Sequence, residues 1–531
     1  MSRRSLTRRD RIEQMVVTAE QMRAIESRIF AAGMPVAALM EKVAGLISQR
    51  IQVHYPRSRY PRVGILVGPG HNGGDALVVA RELYAREYDV VIYQPLEKLK
   101  ELTATHARYA RSLGIFFLEE PSALNHCDVL VDGLFGFGLT RPISGALADL
   151  VQSLNQLPVP VLSIDLPSGI HTDTGEILGT AIAADRTLCL GLWKSAFFQE
   201  AALDYLGIPE LVDFDIPIED AIAIPADPLL RRITNHYALA QLLLPRPAAT
   251  HKYRQGHLLL IGGSQQYMGA AILAGLGARA SGVGMLSLAV PASLKPIVVA
   301  QLPEALVVAC PEDDTGAIGS LPESIDPQNF SAIACGPGIT QQATAIFSTV
   351  LASDRPLVLD ADGLNILAHA NPSNQLSCRG GFTVLTPHPG EFKRLFPNLV
   401  ESNPISAHLA DAAARQTQAT IVLKGARVAI AHPSGEVWFN PHSTPALARG
   451  GSGDVLTGLM GGLLAQVKGK SADLQRMQAM VRASVWWHAQ AGLLAAQNRT
   501  ELGVDACTLA DYLIPAIAQH QTAATDRVPV K

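Results

Sequence analysis

The chain has 531 residues, of which 48% are hydrophobic and only 17% charged, so it carries apolar mass for two or more sizeable cores and too much for extended disorder. A formal net charge of -4 leaves no basic footprint for nucleic acid, and no apolar run reaches the roughly 18 residues of a membrane span. Cys127, Cys189, Cys310, Cys335, Cys378 and Cys507 are scattered without CxxC spacing, which argues against structural zinc or a disulfide framework and fits a reducing cytoplasm.

At the start of the chain Arg3, Arg4, Arg8 and Arg9 precede Met15 with no apolar stretch behind them, and read as a frayed tail or an upstream start. The run Val63 to Val67 predicts a strand opening into the glycine loop Gly68 to Asp75, with a helix over 76–83. Strands are also expected over 90–93, 129–132 and 161–165. Each is wholly apolar before a polar end, the pattern of a parallel sheet covered on both faces. The stretch 214–246, with Pro217, Pro225, Pro228 and Pro245, reads as a domain boundary. A second α/β series follows, with strands over 257–261, 285–290, 332–335, 356–360, 382–386 and 421–424. The Ala/Gln-rich end reads as a terminal helix plus tail. The fold class is α/β: two three-layer domains, placed at 15–220 and 230–520.

Three strands of the first half end at Gly68, Asp132 and Asp165, which puts their polar groups at carboxyl ends, where open α/β sheets bind ligands. Asn72 and Asp75 offer side chains within the first loop. Its glycine spacing is not GxGxxG, so it is no dinucleotide fingerprint, and a tight strand-to-helix turn is the plain alternative. Asp132 and Asp165 have an alternative too, as caps of the turns that follow them. Taken together these groups form an oxygen-rich set suited to a hard cation.

In the second half the run Gly450-Gly451-Ser452-Gly453-Asp454 precedes an apolar stretch and predicts a glycine loop feeding a helix start. Converging backbone amides and the positive end of the helix dipole make an anion site there. Asp454 beside it is suited to take a proton from a hydroxyl, not to hold phosphate. Lys424 ends a strand, where it either meets a nucleotide phosphate or merely snorkels at a sheet edge. His388, between two prolines, is either a hydrogen-bonded structural histidine or a ligand-facing one. Asp360, Asp362 and Asn365 form a further polar group.

The motifs GPGHNGGD, VDGLFGFG and SIDLPSG resemble the NAD(P)H-hydrate epimerase family over roughly Val16 to Pro217. The resemblance implies a Rossmann-like parallel sheet and interconversion of the two epimers of hydrated NADH or NADPH at ring carbon 6. It implies a potassium ion held by Asn72, Asp132 and Ser168, and Asp165 as catalytic acid/base. It also implies hydrate contacts from His71, Asn72, Gly73, Gly74, Asp75, Gly136, Phe137, Gly138, Leu139, Thr140, Arg141, Pro142 and Asp165. His71 and Ala76 stand where the family usually carries Asn and Gly, and Thr140-Arg141 where some members carry Lys.

The motifs GHLLLIGGS, ACGPGI, LDADGLN, LTPHPGEF, VLKGA and ARGGSGDVLTG resemble the ribokinase-like ADP- or ATP-dependent NAD(P)H-hydrate dehydratases over roughly His251 to Leu513. That resemblance implies hydrate contacts from Ala270, Gly338, His388 and Asp454, with Asp454 catalytic. Nucleotide contacts fall to Lys424, Gly425, Ala426, Arg427, Val428 and Gly453, with Mg2+ as companion ion. ADP is the expected donor and ATP the alternative. A homo-oligomer is implied, with no nucleic-acid or membrane partner. The rival reading is a ribokinase-like small-molecule kinase whose N-terminal domain binds nucleotide without catalysis.

Overall fold

The computed structural model describes residues 7–377, 379–402, 405–467 and 474–525; Arg3, Arg4 and Cys378 lie outside them. The chain divides into two compact units, Met1–Ala226 and Asp227–Lys531. Among the described residues no single helix is long and apolar enough to cross a membrane.

The first unit is built on seven parallel strands: β1 Arg62–Val67, β2 Asp89–Tyr93, β3 Phe116–Leu118, β4 Val129–Gly133, β5 Val161–Ile164, β6 Arg186–Leu190 and β7 Ile208–Val212, in the order β3-β2-β1-β4-β5-β6-β7. The order reverses direction between β1 and β4, which opens a crevice at their carboxyl ends. Both faces are covered. Ile65 packs into one apolar cluster while its neighbour Leu66 packs into another, and each is fully buried. That two-sided burial is why the strands lack polar alternation.

Four helices matter here: α1 Arg8–Gln14, α2 Ala19–Ala31, α3 Val36–His54 and α4 His71–Tyr84. The expected frayed tail is a correction, because Thr7 closes a capping box on α1 and Arg8 pairs with Asp213 at 2.5 Å. Helix α4 starts five residues before the expected 76, so most of the glycine loop is its first turn. A Cβ at Gly73 would lie 2.0 Å from the Gly68 carbonyl oxygen, so only glycine lets the helix start this close to the strand end.

The second unit has ten strands: β8 Leu229–Arg232, β9 His257–Ile261, β10 Met285–Pro291, β11 Leu306–Cys310, β12 Ala332–Cys335, β13 Leu357–Leu359, β14 Thr383–Leu385, β15 Thr420–Leu423, β16 Ala429–His432 and β17 Glu436–Phe439. Their order is β8-β17-β16-β15-β14-β13-β12-β9-β10-β11, parallel except for the two antiparallel pairings of β16. The stretch 214–246 is not a linker throughout. Phe214, Ile216 and Ile218 are buried in the first core, and β8 already pairs with β17.

Helices α5 Met268–Ala280, α6 Pro389–Leu395, α7 Ser452–Ala465, α8 Leu474–Arg499 and α9 Ala506–Thr525 complete the parts used below. Helix α7 packs on α5 almost backbone to backbone: Cβ atoms at Gly458 and Gly277 would fall 1.7 and 2.0 Å from the carbonyl oxygens of Ala274 and Val455. Met460 to Leu464 are buried in this core.

Candidate functional sites

The crevice of the first sheet holds a cavity of about 590 Å³. Its wall takes residues from the ends of β1, β4, β5 and β6, and from α2 and α3. Of the residues expected to contact substrate, His71, Asn72, Asp75, Gly136, Phe137, Gly138, Leu139, Thr140, Arg141 and Asp165 line it. Gly73, Gly74 and Pro142 are not in its wall: the two glycines are buried under it against Gly68 and Met40, and Pro142 packs near Gly179.

Asp165 follows β5 with a left-handed φ of 69°, a conformation that costs energy away from glycine and marks a held position. Its carboxylate is 3% exposed, accepts the Phe137 amide at 2.8 Å, and receives the Lys194 ammonium at 2.5 Å. Lys194 is wholly buried; burial lowers its pKa, but the Asp165 charge outweighs that and holds it above the ordinary lysine value. A Cβ at Gly136 would sit 2.9 Å from Asp165 Oδ2 and 3.2 Å from Asn72 Oδ1, so only glycine fits between them.

Lys194 was not singled out from the sequence, although a lone lysine in the apolar run Leu190 to Phe198 is a readable signal of a paired buried charge. Glu26 of α2 also lines the cavity, and burial pushes its carboxyl up to about 7. Burial beside Asp165 and Glu26 likewise raises Asp75 well above the ordinary carboxyl value.

Directly beneath the wall residues Leu134 and Phe135 lies Asp132, fully buried. It accepts the Ser168 hydroxyl at 2.6 Å, the Ser163 hydroxyl at 2.8 Å, and the amides of Ser168 and Leu134 at 2.9 and 3.1 Å. All four donors are neutral, and burial raises its pKa. The Asn72 side-chain nitrogen nearby in the wall is buried without a hydrogen-bond partner. An anion held only by neutral donors, with amide and hydroxyl oxygens beside it, is a donor set that fits a monovalent hard cation.

In the second unit the site forms at the carboxyl ends of β12 to β15. Asp360 follows β13, is 2% exposed, and accepts the Lys424 ammonium at 2.8 Å and the Thr457 hydroxyl at 2.7 Å. Lys424 therefore points inward and does not snorkel; Glu391 lies 3.8 Å from its other side. Burial raises the Asp360 pKa, but Lys424 outweighs this and holds it below the ordinary range. A Cβ at Gly453 would lie 3.4 Å from Lys424 Nζ, so the glycine loop meets the lysine.

Gly451 caps α7 in the left-handed region at φ 88°, and Asp454 occupies the first turn. Burial first, and the Asp360 charge second, push the Asp454 carboxyl up to about 7. Ala270 and Gly338 also come together: a Cβ at Gly338, whose φ is 66°, would meet the Ala270 Cβ at 3.0 Å. His388 caps α6, its ring nitrogen accepting the Gly390 amide at 3.0 Å, and the ring is about half exposed with Glu391 3.6 Å away. Gly425 and Ala426 are exposed in the bend between β15 and β16, and Arg427 and Val428 are half-buried there. Asp362 and Asn365 serve the chain itself: Asp362 accepts the Thr340 amide and the Asn365 side chain.

One supporting residue escaped sequence reasoning. His488 of α8 is buried, with its Nε2 2.9 Å from the Ser452 carbonyl oxygen and 3.2 Å from its hydroxyl, and burial pushes its pKa down to about 4. It braces the glycine turn from a helix distant in sequence.

Residues 36–196 match the family model described as YjeF-related protein N-terminus, and residues 258–515 match that of NAD(P)H-hydrate dehydratase. A bifunctional NAD(P)H-hydrate repair enzyme of Synechocystis sp. is 54% identical over 505 residues, covering 95% of each chain. One from Thermofilum pendens is 34% identical over 472 residues, covering 85% of this chain and 87% of its own. The solved ADP/ATP-dependent NAD(P)H-hydrate dehydratase of Bacillus subtilis, co-crystallized with ATP and Mg2+, is 33% identical, covers 54% of this chain and 97% of its own, and has a TM-score of 0.46. At these identities, sustained over nearly the whole length, the chain belongs to the family of bifunctional NAD(P)H-hydrate repair enzymes.

Proposed function

We propose that the first unit equilibrates the R and S hydrates of NADH and NADPH around Asp165, and that the second dehydrates the S hydrate by nucleotide-dependent phosphoryl transfer around Asp454. The observation that carries the second assignment is the placement of Asp454 in the first turn of α7, near the Lys424–Asp360 pair, with its carboxyl raised to about 7. A base of that pKa is half ionised near neutral pH, where general-base catalysis works best.

The reaction is leaving-group activation. Asp454 takes the proton of the hydrate's hydroxyl as its oxygen attacks the terminal phosphorus of the nucleotide. Phosphate then departs from C6 where hydroxide would not, and loss of a proton from C5 of the resulting iminium ion restores the dihydronicotinamide ring; with ADP as donor the other products are AMP and phosphate. Lys424 and the amides around Gly453 hold the donor's phosphate charge, and positioning supplies much of the acceleration. Ala270, Gly338 and His388 are assigned to the hydrate, and Lys424 to Val428 with Gly453 to the nucleotide. Mg2+ binds through one or two carboxylates plus substrate phosphates, so here it would be shared between the nucleotide and the Asp360–Glu391 side of the cluster.

In the first unit Asn72, Asp132 and Ser168 would hold potassium, whose charge would balance the buried Asp132 and stiffen the loop bearing Gly136. The mostly buried thiols support a reducing, cytoplasmic setting. Assembly into a homo-oligomer belongs to the same reading, and light scattering reads it directly.

The test is to give the purified protein both hydrate epimers with ADP or ATP and to follow recovery of reduced-cofactor absorbance, with and without potassium. Complete recovery, with a potassium effect confined to the R epimer, is expected. A stable phosphorylated product with no interconversion would return the reading to a small-molecule kinase with a silent N-terminal unit.

A further inference from the structure

Inverting the ring carbon by loss and return of its hydroxyl requires chemistry on both faces of the ring: a proton delivered to the departing oxygen on one side, and one removed from the arriving water on the other. A single carboxylate fixed on one wall serves one face. Asp165 is fixed in that way, held by the Phe137 amide and the Lys194 ammonium at the end of β5.

Two further carboxyls, Glu26 and Asp75, line the same cavity. Glu26 stands on α2, on a different element from Asp165, and lines the cavity with Arg23 and Phe137. The Lys194 ammonium pairs with Asp165 at 2.5 Å, and its charge also reaches Glu26. Lys194 and Arg23 lie over the Phe137 ring, 5.6 and 5.8 Å from its centroid, so two cations and one aromatic ring share the cavity with Glu26 and Asp165.

We propose that Glu26 is the second catalytic acid/base group of the epimerising site, paired with Asp165 on the other face of the ring. The proposal rests on the epimerase reading of this unit. In one direction the Glu26 carboxyl gives its proton to the ring hydroxyl, the C6–O bond breaks, and water leaves. The electron pair of the ring nitrogen forms the N1=C6 bond, and the cation so formed lies among carboxylates. A water molecule then adds to C6 from the opposite side and gives its proton to Asp165. One water leaves and one enters, one proton passes from Glu26 to Asp165, and nothing is oxidised or reduced. The opposite epimer reacts with the two roles exchanged.

Burial supports the protonated starting state of Glu26, with its carboxyl raised to about 7. The charged groups facing it are Lys194 and Asp165 from the strand ends, Arg23 from its own helix, and Asp75 from α4. Burial raises the Asp75 carboxyl as well, and the Asp75→Asn variant below separates its contribution from that of Glu26.

The test is Glu26→Gln in the full-length protein, with Glu26→Asp and Asp75→Asn beside it. Epimerisation by E26Q should lose about a hundredfold or more in kcat, within the 10²–10⁴ range of general acid–base catalysis, with KM changed less than about threefold. Dehydration of the S hydrate by the same polypeptide should stay at the parental rate and report folding. Parental epimerisation should fall as pH rises through about 7, E26Q should lose that limb, and E26D should recover part of the rate. E26Q at parental kcat, an effect on KM alone, or a pH limb abolished by D75N and untouched by E26Q would each overturn the assignment while leaving the epimerase reading in place. A parent protein that interconverts nothing would remove both.

Discussion

At the level of single residues, both sites use one device, a buried carboxylate paired with a lysine supplied from another strand, wholly buried at Lys194 and partly buried at Lys424. Lys194 serves Asp165, and Lys424 serves Asp360. Taking one partner from such a pair leaves a buried charge exposed to its full desolvation cost, so these lysines secure the fold as well as the chemistry. Asp454 is the contrasting case. Its carboxyl is half-buried, burial together with the Asp360 charge raises its pKa to about 7, and as the proposed base it must lose its proton to act. The sign follows directly: below pH 7 the active, ionised fraction falls about tenfold per pH unit, and above pH 7 it saturates. The kcat/KM for dehydration is therefore expected to rise with pH to a plateau near 7, and D454A should lose a factor of about 10²–10⁴ with epimerisation unchanged. A pH-independent rate, or D454A at the parental rate, would rule Asp454 out as the base.

Among elements, the close approach of α5 and α7 decides where Asp454 stands. The small residues Gly277 and Gly458 let the two backbones touch, and this packing fixes the start of α7 under the sheet ends. Gly458→Ala would place a methyl carbon 1.7 Å from the Ala274 carbonyl oxygen, a contact that the helices relieve only by moving apart. Overpacking of this kind costs typically 1–3 kcal/mol, and more where backbone must shift. G458A is expected to lower the unfolding transition of the second unit and to slow dehydration, while epimerisation persists. An unchanged melting profile would show that α7 does not depend on this contact.

For the molecule as a whole, the two units carry separate chemistries and separate pH responses. Buried His488 titrates near 4 in the folded second unit against about 6.5 when unfolded. Because the unfolded chain then binds a proton that the folded one does not, this contribution is intact above pH 6.5 and is lost as pH falls toward 4. Between pH 6.5 and 5 the second unit should lose about 2 kcal/mol from this residue alone, at 1.36 kcal/mol per unit. Denaturant titration of the parent and His488→Asn should show a shallower pH slope in the variant; equal slopes would remove His488 as the cause.

Much of this protein was legible in one dimension. Apolar runs such as 63–67 and 258–261, closed by glycine, announce two parallel sheets, because a strand buried on both faces is predominantly apolar. The glycine motifs stand at both proposed sites, since close backbone approach leaves no alternative residue at Gly73 and the Asp165 and Asn72 side chains crowd any Cβ at Gly136. What the linear order could not disclose was pairing. That Glu26 and Lys194 share a cavity with Asp165, that Lys424 turns inward to Asp360, and that His488 braces Ser452 all depend on side chains brought together across tens to hundreds of residues. Local sequence sets which groups a strand end presents; only the closing of sheet and helices around them sets which charges must answer one another, and so which proton each one holds.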